Sequence, residues 1–167
     1  MSRQEMEQLT KQIFDLLCQY CQLIDYGELP QPGPPANEDQ IRAVEQAFNC
    51  TLPSSYRLFL SIHNGWHVWS GAVVLLSTEQ MLVGEYAERI AEWRAEVREF
   101  NPVLIDNALV IGFSLFAGEK IFVDRSSPGQ DIVLWEFAED ERFPDFGDYL
   151  RAKREGLINL LAKKRRA

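Results

Sequence analysis

Residues 37–66 read NEDQIRAVEQAFNCTLPSSYRLFLSIHNGW, and within this stretch each local rule agrees with the next. Asn37 is a helix N-cap with Gln40 placed to reach back to it, and Ile41, Val44 and Phe48 then recur on one face at helical spacing. A polar turn separates this helix from a second one. Leu52 precedes Pro53, whose fixed φ suits a first helical turn, and Tyr56, Phe59, Leu60 and His63 follow on one side. Asn64-Gly65 stops the pattern, because Gly accepts a left-handed turn without steric cost.

Outward from this core, the pattern before it is helical. Met6, Leu9, Ile13, Leu16, Leu17, Tyr20, Leu23 and Ile24 form one stripe over residues 1–26, with Glu5, Gln8, Gln12 and Gln19 turned away. An exposed apolar stripe is uncommon on a soluble monomer, so this helix is expected to pack within the chain, while monomer and homodimer both stay open. Residues 27–36, GELPQPGPPA, hold four prolines and two glycines and read as a semi-rigid linker to a domain over residues 37–167.

After the two helices, the Val and Leu content of residues 66–77 predicts the first strands. Thr78 then caps a helix of about six turns carried by Leu82, Tyr86, Ile90, Trp93, Val97 and Phe100, and Asn101-Pro102 ends it. Strands follow at 108–113, 120–124 and 132–136, the last two joined by a longer hairpin loop at 125–130. Phe137 to Phe143 reads as a loop. Pro144-Asp145 opens a closing helix with Phe146, Tyr149, Leu150, Leu157, Leu160 and Leu161 on its apolar face. The fold class is therefore α+β: N-terminal helices, an antiparallel-leaning mixed sheet interrupted by one helix, and a closing C-terminal helix.

The set Ile41, Glu45, Leu52-Pro53, Tyr56, Phe59-Leu60 and Asn64-Gly65 resembles the signature of the SUKH superfamily, the Smi/Knr-like proteins, and the resemblance runs from about Glu38 to about Leu150. It implies two helices leading into a mixed sheet, and a binding module rather than an enzyme. Many bacterial members are immunity proteins that neutralise a toxin of the same cell or its kin; some eukaryotic members are regulatory scaffolds. The resemblance thus implies an immunity protein that covers the active site of a cognate toxin, with a regulatory protein–protein interaction scaffold as the alternative.

Charge narrows the partner. The net charge is −8, yet the seven Lys or Arg and one acid of residues 151–167 contribute +6 and leave −14 on the first 150 residues. Phosphate binding needs a basic footprint, so nucleic acid is not expected, whereas a basic, nuclease-like protein is the better electrostatic match. No apolar run has the length of a membrane span, and the polar start, MSRQEMEQLT, lacks a secretory signal, so the expected location is the cytoplasm.

Sites of chemistry are weak. Cys18-x-x-Cys21 and His63-x-x-x-His67 are zinc-ligand types, but the cysteines lie mid-helix and nothing brings the pairs together. Ser114 departs from the nucleophile-elbow pattern at its last position, and no glycine-rich phosphate loop is present. Neither catalysis, a cofactor nor a metal is expected. The suggestive constellation is aromatic and acidic: Trp66 and Trp69 after the helix stop, Trp135 and Glu136 at the end of the last strand, then Glu139, Asp140 and Glu141, with Asp124 nearby in the pattern. Tryptophan anchors and flanking acids select a cationic protein partner, so these eight residues are the expected contacts.

Overall fold

The computed structural model describes residues 1–70, 72–116, 118–128, 130–136 and 139–166. Helix α1 (Arg3–Leu23) begins at a capping box in which the Ser2 hydroxyl accepts from the Glu5 amide, and it buries Met6, Leu9, Ile13 and Leu17. Helices α2 (Glu38–Ala47) and α3 (Ser54–Leu60) follow as expected. Asn37 and Gln40 close a second capping box, and Pro53 stands at the start of α3. Glu45 links the two helices: its carboxylate accepts from the Leu52 amide at 2.9 Å and pairs with Arg57 at 2.6 Å.

Between α1 and α2, the proline-rich stretch is not a spacer. Gln31–Pro32 form a short edge strand, β1, against β2 (Trp66–Ser70), an edge being where Pro, lacking a donor, is tolerated in a sheet. The adjoining residues are also tied down. The Gly33 amide donates to the Gly65 carbonyl at 2.9 Å, Asn64 to Pro34 at 2.8 Å, and Ala36 to Leu60 at 2.9 Å.

Two glycines make this crossing feasible. A Cβ on Gly33 would fall on the Asn64 carbonyl, and one on Gly65 would lie 2.6 Å from the Ser77 nitrogen and 2.9 Å from the Leu75 oxygen. Gly65 also has φ +85°, in the left-handed region. Helix α3 itself ends earlier, at Ser61, so Gly65 serves the crossing rather than stopping the helix as the sequence suggests. The Asn64 side chain completes the junction by accepting from the Thr78 amide at 2.8 Å and donating to the Thr78 hydroxyl at 3.1 Å.

Strand β3 (Val73–Leu75) leads into three helices where the sequence predicts one. Ser77, not Thr78, caps α4 (Thr78–Leu82). Gly84, with φ +83°, then breaks the chain before α5 (Glu85–Arg98), and α6 (Pro102–Asn107) follows with Asn101 as its cap. The apolar residues keep helical phase across the break, which is why the spacing alone conceals it.

Strands β4 (Ala108–Ser114), β5 (Lys120–Asp124), β6 (Ile132–Glu136) and β7 (Glu139–Phe143) complete a sheet whose spatial order, β1 to β7, is the chain order. Every pairing is antiparallel among the described residues, so the sheet is a meander rather than mixed. Residues 139–143 are a strand, not the expected loop; Phe137 and Ala138, which share that expectation, lie outside the described residues.

Helix α7 (Phe146–Lys164) closes the chain with Asp145 as N-cap, its side chain accepting from the Asp148 amide. It runs alongside α1 in the same direction, since Arg154 donates to Gln12 and Arg165 to Gln19. Register places the helices on opposite faces of the sheet. Lys120, paired with Phe113 and Trp135, reaches the Trp93 ring of α5, whereas neighbouring Ile121, paired with Leu134, shares a cavity wall with Tyr149 and Leu157 of α7. The core is continuous from Met6 and Ile13 through Tyr56, Phe59 and Phe146 to the inner strands.

Substituting Gly65→Ala is expected to lower stability by about 1–2 kcal/mol or more, from the left-handed φ and the close backbone approach together. A urea midpoint equal to that of the parent chain would contradict this role.

Candidate partner-binding surface

The expected contacts do not share one surface. Trp66 is 2% and Trp69 0% exposed, so neither indole is available to a partner. The reason is local: β2 passes under α1, α3 and α7, and its two tryptophans pack edge to face at 5.2 Å among Phe14, His63 and Tyr149. Trp69 donates its indole N–H to the Tyr149 hydroxyl at 2.6 Å, which satisfies the buried donor. Both residues are core, and the expectation that they touch a partner is corrected.

Asp124 is likewise internal in role. One carboxylate oxygen accepts from the Ser126 amide at 3.0 Å and its hydroxyl at 2.5 Å, and the other accepts from Arg142 of β7 at 2.8 Å. Burial pushes this carboxyl up, but the hydrogen bonds from Ser126 and Arg142 outweigh it and hold the pKa below the ordinary aspartate value. Asp124 thereby fastens the β5–β6 turn and the outermost strand to the sheet. It is a pin, not a free contact.

The remaining expected residues lie at the β6–β7 end of the sheet. Trp135 is half-buried, 5.6 Å from the Trp93 ring, and together with Trp93 and Phe113 it surrounds the buried ammonium of Lys120. That ammonium donates to the Gly118 carbonyl at 2.8 Å, and desolvation lowers its pKa. Asp140 pairs in register with Trp135, and Glu141 with Leu134; both acids are exposed. Successive residues of a strand point to opposite faces, so Asp140 belongs to the α5 side and Glu141 to the α7 side, where it lines a cavity with Lys153. The side chains of Glu136 and Glu139 lie outside the described residues.

Sequence reasoning did not join two features to this surface. Helix α5 carries exposed Glu85, Glu92 and Glu96, extending the acidic character across the face that Trp135 and Asp140 share. Large apolar side chains also stand free: Phe116 after β4, and Phe100 and Val103 where α5 meets α6. Phe100 had the periodicity of a core residue, and only the end of α5 two residues before it explains why it is 85% exposed.

Catalytic arrangements find little support. His63 is half-buried, desolvation lowers its pKa, and its Nε2 stands 3.3 Å from the Thr10 hydroxyl. That hydroxyl, however, donates to the Met6 carbonyl at 2.9 Å, so the pair is a packing contact rather than a base with its nucleophile. Burial raises the thiol pKa of both Cys18 and Cys21, opposite to the shift a reactive thiol requires. Among the described residues no group of three or more His, Cys, Asp or Glu is placed to hold a metal, and no helix is long and apolar enough to cross a membrane.

Residues 35–152 match the model of the SMI1/KNR4 family, SUKH-1. The chain belongs to this family. The match begins at the proline-rich crossing and ends in the first turns of α7, so it spans β2 to β7 and leaves α1 and β1 outside. No curated protein matches the sequence. Membership of SUKH-1 supports a role in protein interaction, since these domains are generally non-catalytic interaction and immunity proteins.

Replacing Asp124 with Asn should destabilise the domain by about 1–2 kcal/mol at neutral pH, the charge-assisted bond to half-exposed Arg142 being worth less than a buried one. Because the folded pKa is depressed, the carboxylate's contribution is full above its unfolded value, about 3.9, and fades as pH falls through the folded value. The difference in urea midpoint between parent and variant should therefore narrow in acid; a difference independent of pH would argue against the ion pair.

Proposed function

We propose that this SUKH-1 chain is an immunity protein of a bacterium, acting in the cytoplasm, which binds a cognate toxin and covers its active site without chemistry. The observation that carries the reading is the composition of the β6–β7 end. Exposed Asp140 and Glu141 stand on the terminal strand of the sheet, beside half-buried Trp135 and the acidic α5. Trp135, Asp140 and Glu141 are the residues proposed to meet the partner. An aromatic group bordered by acids fits a cationic protein surface, and a terminal strand leaves one side of its backbone without a strand partner.

The net charge supports the same reading. With −14 on the first 150 residues, long-range attraction would accelerate capture of a basic, nuclease-like toxin, and speed matters to a protein that must intercept a toxin before it acts. A standard interface of about 1,600 Å² can bind very tightly when a few anchors are well buried, so blocking needs no catalytic group.

The test is co-expression with a toxin encoded beside this chain, followed by isolation of the pair. Rescue of growth and a stable stoichiometric complex are expected. The double change Asp140→Lys with Glu141→Lys should slow association about tenfold or more at low ionic strength and much less at high salt, with the thermal midpoint nearly unchanged. An association rate insensitive to both substitutions would move the interface elsewhere, and capture of ordinary cellular proteins instead of a toxin would favour the scaffold role.

A further inference from the structure

Lys153 of α7 has neither a salt bridge nor a hydrogen bond among the described residues, and its ammonium lies 5.6 Å from the Trp69 ring centre. Desolvation lowers its pKa to about 8, with only a partial offset from Glu119. Lys153 is half-buried, and an unpaired ammonium is costly to remove from water even in part.

Its surroundings are two adjoining cavities that meet at Lys153, Leu157 and Leu160. The first, about 170 Å³, lies toward α1 and has Leu17, Ile24 and Val68 in its walls; among the described residues, Lys153 is the only charged one lining it. The second, about 200 Å³, lies between α7 and the sheet and adds Tyr149, Glu119 and Glu141. Tyr149 already accepts the Trp69 indole N–H, and no described group accepts its own proton. Two donors, the ammonium and the phenol, therefore line one cavity with no acceptor in hydrogen-bond reach among the described residues, although Glu119 and Glu141 share its wall, next to an apolar chamber.

We infer that this pair of cavities binds a small monocarboxylate with an apolar tail, its carboxylate received by Lys153 and Tyr149 and its chain lying in the chamber against α1. Among anions, the charges favour a single negative charge over two. Glu119 and Glu141 face the second cavity and would repel a dianion such as phosphate more than a carboxylate. The apolar walls exclude a strongly hydrated ligand in the first. The site lies on the α7 face and shares Glu141 with the proposed partner surface, but its test needs no toxin.

The probe is octanoate, titrated into the full chain and followed by calorimetry and by amide shifts in nuclear magnetic resonance spectra. Saturable binding at one site, with shifts centred on Val68, Tyr149 and Leu157, is expected. Octan-1-ol should bind at least tenfold more weakly, as should octanoate to Lys153→Met, whose thermal midpoint reports whether the fold is intact. Because octan-1-ol is compared on the parent chain, the test stands even if that variant fails to fold.

Protonation sets the pH dependence. The ammonium is charged below about 8, so affinity should fall as pH rises through that value. The other ionisable groups facing it are Glu119, Glu141 and Tyr149, with Tyr20, Cys21 and Tyr26 in the neighbouring chamber. Absence of saturable binding at millimolar octanoate, equal binding of the alcohol, or unchanged affinity in Lys153→Met with an intact fold would overturn the inference. Binding of a peptide C-terminal carboxylate in a Lys153-dependent manner, with octanoate inert, would overturn the small-molecule assignment.

Discussion

The fold depends on one close crossing, where residues 33–35 pass over residues 64–65 with no side chain between the two backbones. Hydrogen bonds from Gly33 to Gly65 and from Asn64 to Pro34 hold the strands of chain together, and the Asn64 amide fastens the same point to Thr78 at the head of α4. Three parts of the sequence thus meet within a few residues: the proline-rich approach, the exit of α3 and the end of β3. A β-carbon at either glycine would wedge them apart. The crossing fixes where β2 starts, and β2 in turn seats Trp66 and Trp69 beneath the helices.

What could be read in the sequence was whatever local chemistry decides. The capping box at Asn37, the proline before α3, and the stripes of α1 and α7 are one-element problems, and each element is present. The long helix predicted over 78–100 failed for a reason that periodicity cannot see. Leu82 and Tyr86 keep the same phase on either side of Gly84, although the backbone between them is left-handed. Strand β7, EDERF, was read as a loop because a strand recognised by apolar alternation needs apolar residues. Its pairing with β6 and the tie from Arg142 to Asp124 are long-range facts.

The expected contact residues divided along the same line. Exposure of Asp140 and Glu141 follows from their chemistry and their place at the sheet's rim. The tryptophans were ambiguous, since a large amphipathic ring suits a core as well as an interface, and only the position of α1 and α7 over β2 resolves the choice. Lys153 gave no signal at all. In the sequence it is one basic residue in a basic tail; in the structure it is the one of that group held against an indole beside two cavities.

The same-direction packing of α1 against α7 has a consequence for how the chain is made. A sheet laid down in chain order can assemble from neighbouring strands as each leaves the ribosome, because the contacts it needs are short in sequence. Helix α1 meets α3 and β2 early, but its packing against α7 spans nearly the whole chain. Its apolar stripe emerges before the whole sheet, and the part that faces α7 must wait, on the order of ten seconds at common rates of synthesis, to be covered. During that interval the nascent chain keeps part of an apolar helix face exposed, and α7, the last element made, is the one that closes it.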